Sequence, residues 1–194
     1  MQIKEQKIKD FLDDLASKKP TPGGGATAAL AGAMAAALVS MVAKLTVVKA
    51  KDKDKGKEFE EIEEKAERLR KELLLLADED CQAFERVMQA YRTKKEEPGR
   101  LRKIQKALEE ASQVPLETAE KSVAVVKLAS DCVREGNQNA VSDARVALEL
   151  ATAAVYGALE NVRINLESIK DSKFGEDIKE KIDNLLGCQD LKAG

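Results

Sequence analysis

The chain has 194 residues, 35 % of them charged, with a net charge of −2 and no histidine. A chain of this length can bury a real core. The charge balance excludes a bulk nucleic-acid binder, which needs a basic excess to neutralise phosphates. The missing imidazole excludes histidine acid–base chemistry and most zinc sites, leaving Asp, Glu, Lys, Tyr or Cys for any proton transfer.

With Trp 0, Tyr 2 and Phe 4, the core must be Leu, Ile, Val and Ala, and Lys and Glu fill the positions between, a composition that favours helices. Cys81, Cys132 and Cys188 are odd in number and far apart, so reduced thiols are expected. The amino-terminal stretch MQIKEQKIKDFLDDLAS is amphipathic and does not read as a signal peptide. The expected location is the cytoplasm.

In chain order, the first predicted helix places Ile3, Ile8, Phe11, Leu12 and Leu15 on one face and stops before Lys19-Pro20. A second starts after Gly25 and runs to about Thr46. The stretch KAKDKDKGKE reads as an exposed loop, followed by a third helix from about Lys57 to Arg92. Glu97-Pro98-Gly99 breaks the chain. A helix over about Leu101 to Ser112 comes next, and Pro115 is expected to open another that ends by Gly136. GNQN is a turn, a long helix covers about Ala140 to Ile169, and a short amphipathic one closes near Gly187. No strand signal or internal repeat appears. The expected fold is all-α, a bundle of long antiparallel helices in one domain over residues 1–194.

The stretch PTPGGGATAALAGAMAAALVSMVAKLT carries three readings. Residues 26–43 are free of charge and long enough for a membrane span, but half are alanine, which gains little from lipid, and no second span is read. GGGATA fits a nucleotide loop only by force, because no strand precedes it and no lysine follows. The favoured reading is a buried central helix, since Ala28, Gly32, Ala36 and Ser40 lie four apart and let neighbouring backbones approach closely. The glycines Gly23, Gly24 and Gly25 then serve either a tight turn into a crowded core or a backbone site at a helix start for an anion or a polar ring edge.

Two polar groups stand out. In the third helix Phe59, Ile62, Ala66, Leu69, Leu73, Leu76, Ala83, Val87 and Ala90 form a seam in steps of three and four, and position 80 within it is aspartate. Asp80 must be paired with a cation, set helix register, or face a ligand with a raised pKa. The second group is Asn137, Asn139, Ser142 and Asp143 at a helix start, where caps are the ordinary explanation, with Asn161 and Asn165 one turn apart further along. Asp143 and Asn161 are five turns apart, roughly 27 Å, so a single small ligand meets both only across a symmetric dimer. The basic residues Arg92, Lys94, Lys95, Arg100, Arg102 and Lys103 read as a solvated loop, with attraction of polyglutamate as the alternative.

The glycine turn with its alanine helix, DEDCQAFERVMQAYR, VPLETA and GNQNAVSDARVALELATAAVYGALENVRINL together resemble, in order, the formiminotransferase-cyclodeaminase carboxy-terminal domain family. The resemblance spans about residues 5 to 170. It implies an all-helical homodimer with a folate cleft near the subunit interface, a tetrahydrofolate derivative as substrate, no metal and no bound cofactor. It implies a formiminotetrahydrofolate cyclodeaminase that forms 5,10-methenyltetrahydrofolate and ammonia, with methenyltetrahydrofolate cyclohydrolase or a non-catalytic folate- or partner-binding dimer as alternatives. By the same resemblance Asp80 and Asp143 share the acid–base and cation-stabilising roles. Gly23, Gly24, Gly25, Asn137, Asn139, Ser142, Asn161 and Asn165 contact the substrate. One departure is Arg145, which follows S-D-A where the family motif more often has glycine, beside Asp143.

Overall fold

The computed structural model describes residues 2–187, which places Cys188 outside the described residues. Six α-helices follow one another: α1 (Ile8–Leu15), α2 (Gly24–Lys49), α3 (Lys53–Arg92), α4 (Arg100–Glu135), α5 (Val141–Leu166) and α6 (Ser172–Leu186), with 3-10 turns at Ile3–Glu5 and Gln138–Ala140. No strand occurs among the described residues. The four long helices run up and down. Asp80 of α3 meets the start of α2 while Glu67 meets Ser40, so these two are antiparallel. Gly32 faces Ser122 of α4 while Thr46 meets Asn137 just beyond the end of α4, so α4 runs parallel to α2 and antiparallel to α3. Gly24 faces Asn161 near the end of α5 while Thr46 meets the turn before its start, so α5 is antiparallel to α2 and α4.

Helix α2 is the central element and packs against α3, α5 and α4. It is long and apolar enough to cross a membrane by length and composition, yet Ala26, Ala29, Ala35, Ala36, Val39, Val42 and Ala43 are wholly buried inside the bundle. Small residues make this possible. At Gly32 an added Cβ would stand 2.8 Å from Ser122 Oγ and 3.2 Å from a methyl of Leu73, so α4 and α3 close on α2 where it has no side chain. The Ser122 hydroxyl at this crossing is buried without a hydrogen-bond partner. Ser40, the polar member of the stripe, donates to Glu67 at 2.9 Å.

Several sequence expectations are corrected. The charged stretch after α2 is not a ten-residue loop. α3 begins at Lys53, because Asp52 caps it by accepting from the Asp54 N–H at 3.0 Å and Asp54 sits favourably in the first turn of the helix dipole. The predicted amino-terminal face is broken: Ile3 lies in a separate turn, Phe11 is buried, and Ile8 and Leu12 point outward at 80 % and 53 % exposure. The Ile3 turn is instead held by the buried carboxylate of Asp78, which accepts the Ile3 N–H. The largest correction concerns Pro115. It does not open a helix but lies inside α4, which runs unbroken through it.

The Gly32–Ser122 crossing yields a test. Gly32→Ala should lower the melting temperature despite the better helix propensity of alanine. In a Ser122→Ala background, where the facing hydroxyl is gone, the same substitution should raise it. The coupling should amount to about 1 kcal/mol by denaturant titration, and simple additivity would mean that the helices are not in close contact here.

Candidate active site

The amino end of α2 meets the middle of α3 and the carboxy end of α5. Gly24 and Gly25 open α2 after the turn through Pro20 to Gly23. At Gly25 an added Cβ would fall 2.1 Å from Asp80 Oδ1 and 2.6 Å from its carboxyl carbon. The carboxylate therefore lies directly against the Gly25 backbone, and no other residue fits there. Its second oxygen accepts the Ala26 N–H at 3.0 Å. At Gly24 an added Cβ would stand 3.3 Å from the side chain of Asn161. Two successive glycines, Gly24 and Gly25, thus let an amide and a carboxylate approach the first turn of a helix together.

Among the described residues no cation is paired with Asp80. Burial holds its carboxyl above the ordinary carboxylate value, and the Ala26 N–H pulls the other way with smaller effect. The helix start is not a vacant anion site either, since the protein's own carboxylate already faces it.

Asp80 lines a cavity of about 270 Å³ with Thr21, Gly23, Gly24, Gly25, Phe84, Val87, Leu108, Ala111, Asn161 and Asn165. The Asn161 Nδ2 donates to the Gly157 carbonyl at 2.8 Å and the Asn165 Nδ2 to the Ala111 carbonyl at 3.3 Å. Each amide keeps its Oδ1 acceptor and its second N–H. Asp80 is the one charged residue along this lining. The cavity therefore presents a carboxylate and two amides over an apolar floor, which suits a flat ligand with polar edges or positive charge. Cys81, next in sequence, is half-buried, and its thiol is pushed up to about 11, first by burial and then by Asp80, so it is no thiolate nucleophile. Cys132 is buried and its thiol is raised to about 12 by burial. Both thiols are free. Among the described residues no group of three or more His, Cys, Asp or Glu is placed to hold a metal.

The other sequence-predicted residues lie at the opposite end of the bundle. Asn137 donates from Nδ2 to the Leu45 carbonyl and from its backbone to Thr46 Oγ1, and its Oδ1 accepts from the Asn139 N–H. It ties the turn before α5 to the last turns of α2. Asn139 and Ser142 are exposed and Asp143 is half-buried beside them. Twenty residues of α2 separate Ala26 from Thr46, about 30 Å of helix, so one chain does not unite this cluster with Asp80. Sequence reasoning missed Thr21, Phe84, Leu108 and Ala111 as cavity walls. Only Phe84, one turn beyond Asp80 on the same helix, carried a readable signal.

Next to this cavity lies a second, of about 390 Å³, which shares Pro20, Thr21 and Phe84 with it and continues past Glu85, Met88 and Gln89 to Arg92. The pair forms a cleft that starts at a carboxylate and ends at a cation. Asp80 and Arg92 are twelve residues apart on α3, about 18 Å.

A methenyltetrahydrofolate cyclohydrolase of Methylorubrum extorquens is 42 % identical over 183 residues, covering 92 % of this chain and 88 % of that protein. The formimidoyltransferase-cyclodeaminase of Sus scrofa is 30 % identical over 190 residues, and this chain spans 34 % of its length. The solved structure of a formiminotetrahydrofolate cyclodeaminase from Thermotoga maritima superposes with a TM-score of 0.90 at 34 % identity, covering 99 % of this chain and 93 % of that one. The family model for formiminotransferase-cyclodeaminase matches residues 7–184, and the chain belongs to that family of folate one-carbon enzymes.

Proposed function

We propose that the chain is a methenyltetrahydrofolate cyclohydrolase, which adds water to the one-carbon bridge of 5,10-methenyltetrahydrofolate. The observation that carries this reading is the charge of the inner cavity, with a lone carboxylate, two amide oxygens and no cation along the lining. The methenyl substrate is a delocalised cation, and an unpaired buried carboxylate both attracts it and serves as a base. Asp80 takes one proton from water as the oxygen bonds to the bridging carbon, giving a neutral carbinolamine. The hydroxyl proton then leaves as the carbonyl forms and the C–N5 bond breaks. N5 keeps the electron pair and takes a proton, so the products are 10-formyltetrahydrofolate and one net proton. Water and the folate are the only reactants. Asn161 and Asn165 accept from the N–H edge of the pterin. Against the expectation that weighted cyclodeaminase first, the 42 % identical relative is named a cyclohydrolase.

A second reading has its own support. The superposed Thermotoga maritima structure is of a cyclodeaminase, for which the same cation is the product. There the protonated form of Asp80, favoured by burial, would deliver the proton to the departing ammonia. Ammonia released from 5-formiminotetrahydrofolate separates the two reactions directly.

The outer cavity would then take the aminobenzoyl-glutamate portion, with the ring against Phe84 and Met88 and a carboxylate at Arg92. Arg92→Gln should raise KM about tenfold with little change in kcat, as loss of one charge-assisted contact does. An unchanged KM would place the tail elsewhere.

The working unit we propose is a symmetric dimer. Helix α2 leaves Met34, Met41, Leu45 and Val48 exposed along one stripe, and its neighbour α5 leaves Val146 and Tyr156 exposed. A two-fold antiparallel pairing on these helices would bring Asn139, Ser142 and Asp143 of a second copy toward the cleft of the first. Chains carrying Asp80→Asn and chains carrying Asp143→Asn, each inactive alone, should regain about a quarter of full activity when mixed and allowed to exchange, since half the dimers then hold one intact site. No recovery would confine the reaction to one chain.

Asp80 gives the sharpest test. Its folded pKa is raised, so the folded state holds the proton more tightly than the unfolded chain, and ionisation costs stability as pH rises through that interval. Asp80→Asn should cut turnover about a hundredfold or more. It should melt no lower than the native protein above the folded pKa, and the difference should vanish at low pH. Native kcat should rise with pH through an inflection above the ordinary aspartate value and then stay level. A variant that loses stability but keeps its rate would make Asp80 a structural cap.

A further inference from the structure

Pro115 sits in the middle of α4 and is fully buried. Proline has no N–H, and its ring presses on the carbonyl four residues back. That carbonyl belongs to Ala111, itself a wall of the inner cavity. In an uninterrupted helix the oxygen of Ala111 accepts the amide of residue 115. Here it accepts instead from Nδ2 of Asn165, across from α5, at 3.3 Å. An ordinary residue at 115 would supply the competing N–H and draw the carbonyl back toward its own helix axis.

We propose that Pro115 is a positioning residue: by removing its own amide it frees the Ala111 carbonyl to hold the Asn165 side chain, which fixes that amide with its oxygen toward the ligand. The orientation of an asparagine amide is otherwise two-fold ambiguous, because oxygen and nitrogen have nearly the same shape. A dedicated acceptor on the nitrogen side removes the ambiguity. Asn161 is fixed in the same sense by the Gly157 carbonyl. That contact reaches back one turn on its own helix, whereas the Asn165 contact crosses to α4 and depends on a missing helix bond. The proline of VPLETA thus belongs to the substrate cleft, although it is buried and lines neither cavity.

The catalytic consequence rests on the proposed reaction, and the structural consequence does not, so two measurements separate them. In kinetics, Pro115→Ala and Asn165→Ala should each lower kcat/KM about tenfold, the size of one oriented hydrogen bond. The double variant should be no worse than either single one. Effects that multiply would overturn the proposal, since a merely structural proline acts independently of Asn165.

In stability, Asn165→Asp sets a carboxylate against the Ala111 carbonyl, acceptor against acceptor. It should lower the melting temperature in the native background and do so far less in the Pro115→Ala background, where the helix satisfies Ala111 itself. This measurement needs no substrate and retains its meaning if the protein turns over neither folate. Equal losses in the two backgrounds would overturn the proposal. If Pro115→Ala does not fold, Pro115→Ser supplies the same amide for both measurements.

Discussion

The contact between the Asp80 carboxylate and the bare backbone of Gly25 is the constraint around which the site is built. With Cβ excluded to 2.1 Å from a carboxylate oxygen, α2 and α3 approach at a distance that no other residue type allows. The approach costs something. The half-buried carboxylate is partly withdrawn from water and accepts the N–H of Ala26. Burial raises its pKa and that hydrogen bond offsets only part of the rise. A cation from a neighbouring helix would have removed the cost and the reactivity with it. None of the described residues supplies one, although the surfaces of α3 and α4 are thick with Lys and Arg.

The same economy of side chains runs along α2. A helix whose buried face is mostly alanine and glycine has little apolar area of its own to bury there, and its value lies in how closely others can come. Its neighbours provide Leu73, Phe59, Val126, Leu159 and Val162, all wholly buried. Where α2 shows a larger side chain on its uncovered stripe, as at Met34, Met41 and Val48, that side chain is exposed. The central helix therefore divides its surface between close inner contacts and an exposed apolar outer line.

Much of this was legible beforehand, and the reasons are local. The seam from Phe59 to Ala90 repeats over many turns, so Asp80 stood out as the one carboxylate in an apolar series. The alanine stripe announced a close-packed helix for similar reasons. Contacts between helices were not legible. Nothing in the sequence tells that Asp78, two residues before Asp80, holds the Ile3 turn, or that Thr21 and Leu108 share a wall. Asn137 and Asn161 lie in one continuous motif, yet the structure sends them to opposite ends of α5, with the first bound to the last turns of α2. Spacing along a helix revealed their separation. Which of the two ends joins Asp80 depended on the packing of α2, and that has no signature in the α5 sequence.

Pro115 was misread for an instructive reason. Proline at a first helical turn is the common case, and the rule behind it concerns the chain's own hydrogen bonds. An interior proline is tolerated when another group meets the orphaned carbonyl, and that group lies 50 residues further on at Asn165. Among the places where local rules fail are a carboxylate without a cation on a largely apolar seam and a proline inside a helix. Both failures lead to the same 270 Å³ cavity. A fold selected for stability alone would place leucine at 80 and alanine at 115. Both departures meet at one cleft, from α3 and from α4 by way of α5, and a ligand held there would account for both.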